Sequence, residues 1–309
     1  MKSVSAITCG STVSSDNVVV IDVTIDPQVI AETDFTSAPS MLHEKAIYIL
    51  EGQLFHVERF DFDHRKAYVK RVDCDYYTDA IKYSKVTILD ERSTPAAPAT
   101  VRPPIPGAHG EVHVVARVIG FKKIRFYTNE NVGSGELDLP EQQMHTTSYW
   151  LTVPKDVLDS LPYDSESKRD GVSGMAQAMR TVAQLLLMCD RNDLGVSVNA
   201  EADPAPAPQA ADGPRAALEE PRIFIYDNYP GGIGFSAPLF DVQDRLLEAS
   251  ADLIASCDCE RGCPSCVGPI GEIGPKGKRV ALDLLERLTG RAAVSSAASP
   301  AIDDGEVPF

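Results

Sequence analysis

Four cysteines fall within ten residues, as Cys257-Asp-Cys259-Glu-Arg-Gly-Cys263-Pro-Ser-Cys266. Four thiolates are the ligand set of a closed tetrahedral zinc site, with zinc–sulfur bonds of about 2.3 Å. The Cys263-x-x-Cys266 step lets one turn present two sulfurs to one ion. Gly262 and Pro264 shape that turn, and Cys257-x-Cys259 supplies the second pair. With every position a cysteine, no coordination site stays open for substrate, so the spacing predicts a structural Zn2+ rather than a catalytic one. A soft thiolate set also suits an iron–sulfur cluster or a redox pair, which spacing alone leaves open. The other cysteines, Cys9, Cys74 and Cys189, stand singly and read as small buried hydrophobes.

Other chemistry is thinner. Pro230-Gly231-Gly232-Ile233-Gly234 follows a strand and precedes a helix, which is where anions bind helix N-termini. Its spacing matches neither dinucleotide nor phosphate-loop fingerprints. It reads as a tight turn, with Asp227 placed either to cap it or to pair with a nearby base. The six histidines are scattered over β-rich sequence, and no Ser/His/Asp or Cys/His set emerges.

These groups must be positioned by two domains, the number that 309 residues suggest. We expect an α+β protein. A β-rich domain over 1–150, a small barrel or winged-helix-like, precedes an α/β domain over 151–290 that ends in a zinc-stapled helical segment. Strands are expected at Val18–Ile25, Ala46–Leu50, Gln53–Phe60 and Ala67–Val72, with turns at Glu51-Gly52 and Asp63-His64. Glu111–Ile119 and Lys123–Thr128 read as a further antiparallel pair. Met175, Met179, Val182, Leu186 and Cys189 form the core stripe of a helix over 171–190. A strand at Arg222–Tyr226 is followed by helices over 238–256 and 278–288, with Gly290 as the last C-cap. Proline-rich linkers are read at 93–108 and 200–221, and a disordered acidic tail at 291–309.

Charge narrows the partners. Twenty-nine basic against 45 acidic side chains give −16 at pH 7, which opposes a nucleic-acid binder basic over its whole surface. Local patches escape that argument, because charges act within about 8 Å at physiological salt. Arg59, Arg65, Lys66, Lys70 and Arg71 alternate with Phe55, Phe60, Phe62 and Tyr68, a pattern suited to stacking on single-stranded bases. Lys122, Lys123 and Arg125, and Lys276, Lys278 and Arg279, are two further candidate DNA contacts. No apolar run of membrane-spanning length and no secretory h-region occur, so a cytoplasmic, nucleoid-associated protein without a membrane partner is expected.

The run IYDNYPGGIGFSAPLFD (225–241) followed by CDCERGCPSCVGP (257–269) resembles the zinc-binding C-terminal domain of a DEAD/DEAH-box DNA helicase family, the mitomycin repair factor helicases. Segments 34–80, 120–151 and 185–196 are similar to the same family. The resemblance implies an accessory C-terminal part of a 3′-to-5′ ATP-dependent DNA helicase in repair. It also implies metal ligands Cys257, Cys259, Cys263 and Cys266. Single-stranded or forked DNA is the implied partner. No Walker A or DExD/H sequence occurs in these residues, so ATP is expected only through RecA-like motor domains supplied in cis or in trans. The alternative is a zinc-stabilised protein-interaction subunit that anchors a separate motor. The last residues, Asp303–Phe309, resemble the acidic Pro-Phe tip of bacterial single-stranded-DNA-binding proteins.

Overall fold

The computed structural model describes residues 17–92, 105–128, 130–199, 220–268 and 273–291. Cys9, both proline-rich linkers for the most part, and the acidic tail lie outside them. In chain order the elements are β1 (Asn17–Asp22), β2 (Gln28–Asp34), α1 (Ala38–Met41), β3 (Ile47–Leu50), β4 (Gln53–Asp61), β5 (Lys66–Arg71), β6 (Tyr76–Arg92), β7 (Gly107–Arg125), β8 (Asn131–Glu136) and β9 (Gln142–Thr152). There follow α2 (Lys155–Asp159), α3 (Ser165–Leu187), β10 (Leu194–Asn199), β11 (Arg222–Asp227), α4 (Ser236–Asp241), α5 (Gln243–Ser256) and α6 (Gly277–Leu288). Among the described residues no helix is long and apolar enough to cross a membrane.

The chain forms two compact units, but not by a single cut at 150. One unit comprises 1–85 and 115–143, the other 86–114 and 144–309. The cause is strand length. β6 and β7 run for 17 and 19 residues, and each contributes to both units. The antiparallel pair expected between 111 and 128 is therefore one continuous strand, β7. Gly120 lies inside it instead of breaking it, because a Cβ there would stand 2.7 Å from the Gly135 carbonyl oxygen of β8. That glycine marks close strand approach, not a turn.

The first unit is built on an open sheet in the order β2-β1-β5-β4-β3, with β1 and β5 parallel and the other pairs antiparallel. Val18 and Val20 of β1, Phe55 and Val57 of β4, and Ala67 and Val69 of β5 alternate inward to form its core. The Glu51-Gly52 turn is confirmed as a two-residue hairpin, both residues having positive φ (50° and 77°). At the far end of the parallel pair, Asp22 accepts from the Thr24 backbone N–H at 2.8 Å, and Arg71 lies 3.8 Å from its other oxygen.

In the second unit the sheet carries side chains on both faces. Tyr149 and Leu151 of β9 and Ile223 and Ile225 of β11 join the helices in one core. Trp150, Phe224 and Tyr226 point the other way and meet Val86, Val112 and Val114. Burial on both faces explains the unbroken apolar run of β11. The expected helical stripe is core: Met175, Met179 and Val182 are buried, with Leu186 and Cys189 packed at its edge. α3 starts six residues before the expected Gly171, since Asp164 caps it by accepting from the Ser167 N–H at 2.9 Å. The expected 238–256 helix is two, α4 and α5, divided at Val242 (φ −108°, ψ 19°).

Two glycines of α3 set how closely the rest can pack. A Cβ on Gly171 would stand 2.3 Å from Val280 Cγ1 of α6, and one on Gly174 would stand 3.0 Å from Val267 Cβ. Helix propensity favours alanine over glycine by about 1 kcal/mol, but overpacking of this severity costs about 1–3 kcal/mol. Gly171→Ala is therefore expected to destabilise the protein in urea unfolding, and Val280→Ala in the same chain to restore much of the loss.

Candidate metal centre

Each cysteine is delivered by an element already fixed in the second unit. Leu246, Leu247, Ala251 and Ile254 bury one face of α5 against the core, so the helix ends with Cys257 held at its C-cap. From there the chain is extended to Cys259. Gly262 then takes φ +121°, and a Cβ there would stand 2.7 Å from Val267 Cγ2. The Cys263 carbonyl accepts from the N–H groups of Cys266 and Gly268, both at 3.0 Å. That turn places two sulfurs side by side, while Val267 drops into the core beside Gly174 of α3.

The four sulfurs converge. Cys257–Cys259 and Cys259–Cys266 are 3.5 Å apart, Cys257–Cys263 is 3.6 Å and Cys263–Cys266 is 3.7 Å. All four lie within 4.8 Å of one another. A tetrahedron with bonds of about 2.3 Å has sulfur–sulfur edges of about 3.8 Å, so this set fits one ion at its centre. A four-iron, four-sulfur cluster, with each thiolate on a different iron, would hold the sulfurs further apart.

The surroundings favour a cation. Burial pushes the Cys266 thiol up to about 12. Burial also acts upward on Cys263, but the Ser265 and Cys266 N–H groups and the Cys257 and Cys266 sulfurs outweigh it and hold that thiol at about 7. Without metal Cys263 and Cys266 therefore ionise at well-separated pH, whereas a bound ion would draw both to thiolate. Lys278, in the first turn of α6, donates to the Cys257 carbonyl at 2.6 Å and also to that of Cys259. Its ammonium thus ties α6 to the cysteine loop and puts positive charge beside the thiolates.

Residues 175–267, which contain all four cysteines, match a family described as the MrfA Zn-binding domain. The chain is 36% identical to the ATP-dependent helicase YprA of Bacillus subtilis over 281 residues, covering 89% of the chain and 34% of YprA. It is 24% identical to the ATP-dependent helicase HRQ1 of Saccharomyces cerevisiae, covering 82% of the chain and 23% of HRQ1. It also superposes on a crystal structure of the DUF1998 helicase MrfA bound to DNA, with a TM-score of 0.54 and 36% identity, covering 89% of this chain and 34% of that one. The chain is homologous to these helicases, and its residues 175–267 match the MrfA Zn-binding domain family. It spans about a third of the length of YprA.

Within that MrfA-like domain the glycine turn holds an anion of its own. Asp227 is fully buried at the end of β11. Its Oδ2 accepts from the N–H groups of Ile233 (2.6 Å), Gly234 (2.8 Å) and Phe235 (3.3 Å), and from Thr147 Oγ1 (3.2 Å). Gly231, Gly232 and Gly234 all have positive φ, and a Cβ on Gly232 would stand 2.4 Å from Thr147 Oγ1. The nest of backbone donors that could have cradled a phosphate is filled by a carboxylate from the same chain. Of the two sequence readings of Asp227, capping is the one observed.

Most of the basic residues singled out from sequence have intramolecular contacts. Lys70 lies 3.6 Å from Glu58, Arg59 sits over Tyr68 at 4.4 Å, and Arg65 sits over Phe35 at 5.0 Å. Arg71 faces Asp22 and Phe55, Lys123 sits over Tyr76 at 5.0 Å, and Arg125 pairs with Asp75 (3.2 Å) and Glu130 (3.3 Å). Arg279 pairs with Asp283 at 3.0 Å. Lys66, at the start of β5, and Lys276, just ahead of α6, are exposed; Lys122 is half-buried on β7. Phe55 and Phe60 are buried in the first unit's core, which closes the base-stacking role their spacing suggested. Sequence reasoning missed Lys278's attachment to the cysteine loop, since a lone lysine after a glycine gives no sign of its acceptors.

Two measurements check this site. Purified protein should contain about one zinc per chain, and Cys263→Ser should lose it and lower the melting temperature, because metal-binding energy here is folding energy. Asp227→Ala, which removes the acceptor shared by three backbone N–H groups, should cost roughly 1–3 kcal/mol in chemical unfolding while leaving zinc content unchanged.

Proposed function

We propose that this chain is the DNA-engaging, zinc-stapled C-terminal part of an ATP-dependent 3′-to-5′ DNA helicase acting in repair, in the cytoplasm on nucleoid DNA. One observation carries the proposal: four sulfurs placed for a single metal ion, inside a region homologous to a helicase whose crystal structure contains DNA. The metal's role is structural. Four thiolates complete a tetrahedral shell, leaving no position for water or substrate. The ion therefore fixes the loop between α5 and α6. ATP hydrolysis and directional movement belong to RecA-like motor domains that act with this part in cis or in trans.

A net charge of −16 confines DNA contact to local patches, and single-stranded or forked DNA is the substrate such patches would hold by its backbone. The intramolecular pairing of Arg59, Lys70, Arg71 and Arg125 favours a second reading, in which this part anchors a motor by protein contacts. Titrating labelled single-stranded DNA against salt separates the two. Direct phosphate contacts predict that log K falls with log [salt] by about 0.7 per contact. Absence of binding at about 50 mM salt, the low end of the range where such contacts are strong, would leave only the anchoring reading.

A further inference from the structure

The second unit also holds two neighbouring arginines, Arg180 and Arg191, that form no ion pair among the described residues. Ser173, Gln177 and Arg180 recur at steps of four and three residues on α3, so they share one face of the helix. Arg191 follows just beyond the helix end. Arg180 Nη2 donates to the Arg191 carbonyl at 2.7 Å, which holds the two residues together. Arg180 Nε is buried and has no acceptor. Among the described residues, neither arginine forms an ion pair.

The nearest acidic side chains in sequence are engaged elsewhere. Asp193 accepts from the Asp190 N–H at 2.7 Å and the Tyr229 hydroxyl at 2.6 Å, and Asp190 accepts from the Asn192 N–H at 2.9 Å. Burial, and next the like charge of Arg191, weaken the hold of Arg180 on its proton. Arg180 Nε is thus a buried donor that the described residues leave without an acceptor, and Arg191 beside it is open to an external anion.

The adjoining space has the size and lining for one. Ser173, Gln177 and Arg191 form one wall of a cleft of about 220 Å³, and Pro264, Val267, Gly268 and Ile273 form the other. Pro264, Val267 and Gly268 of that second wall belong to the cysteine turn. The volume is below the roughly 300–1,000 Å³ of pockets that enclose a whole small ligand. A hydroxyl, an amide and a guanidinium fork together match the oxygens of a phosphate group.

We propose that this cleft seats a backbone phosphate of single-stranded DNA, held by Arg191 with Arg180 behind it. The proposal rests on the DNA-binding reading above and assigns a specific contact to it. It also gives the zinc loop a part in DNA binding, because the turn that presents Cys263 and Cys266 builds one wall of the cleft.

The test is fluorescence anisotropy with a labelled single-stranded oligonucleotide and the full chain. Arg191→Gln should weaken binding about tenfold, as expected for one charge-assisted hydrogen-bonded contact, and should make the salt slope shallower by about 0.7. Arg191 is exposed, so zinc content and melting temperature should not change. Lys155→Gln, which removes an equal exposed charge at the start of α2, should alter neither affinity nor slope. If wild type binds but Arg191→Gln binds with the same affinity and slope, the cleft assignment falls and the DNA reading stands. An equal loss in Lys155→Gln would likewise overturn it, since net charge alone would then explain the effect. Arg191-dependent binding of inorganic phosphate without any loss of DNA affinity would mark a free-anion site and reject the proposal. If wild type binds no DNA at low salt, both the assignment and the reading beneath it fall.

Discussion

Four cysteine sulfurs brought within 4.8 Å of one another repel as thiolates unless a cation lies between them. That requirement organises the second unit. A divalent ion there would neutralise part of the four thiolates' charge, and the Lys278 ammonium, fastened to the Cys257 and Cys259 carbonyls, adds a further positive group. The same lysine stands in the first turn of α6, so the start of that helix and the end of α5 are tied at one place. Gly171 and Gly174 let α3 closely approach α6 and the cysteine turn. Its opposite side packs on the sheet through Tyr149, Leu151, Ile223 and Ile225. Metal, glycine face and sheet thus form one line of dependence.

The polar features of this unit differ in whether the chain itself completes them. Asp227 fills the glycine-turn nest with a carboxylate, making an anion-shaped site structural. Asp283 accepts from Tyr163 and pairs with Arg279, so the end of the α2–α3 connection is bound to α6. Among the described residues Arg180 and Arg191 have no such counterpart, which leaves Arg180 Nε without an acceptor beside the metal loop.

What could be read from sequence was what local spacing determines. The Cys-x-Cys and Cys-x-x-Cys steps pointed to a metal site, with zinc favoured and an iron–sulfur cluster left open, and Val280, Leu284, Leu285 and Leu288 defined α6 to within one residue. The Glu51-Gly52 hairpin was equally local. The long strands were not legible, because Gly120 looks like a break until β8 is seen against it. Nor was the interleaving of the two units, which follows from β6 and β7 being long enough to serve both. The start of α3 was hidden because Ser165–Asp170 is polar and carries no apolar stripe; its signal was Asp164, a cap. Charge patterns misled most: alternating basic and aromatic residues in β4 and β5 resemble a stacking surface, yet Phe55 and Phe60 face the core. A sequence shows which residues are charged but not which partners fold against them.

The central claim is that a single metal ion holds α3, α5 and α6 as one body. Amide hydrogen exchange on the full chain, with zinc bound and after its removal by a chelator, tests it most directly. The account predicts that stripping zinc sharply reduces protection in α5, α6 and the first half of α3, while β1, β4 and β5 of the first unit keep theirs. Unchanged protection in those helices after complete metal loss would contradict it.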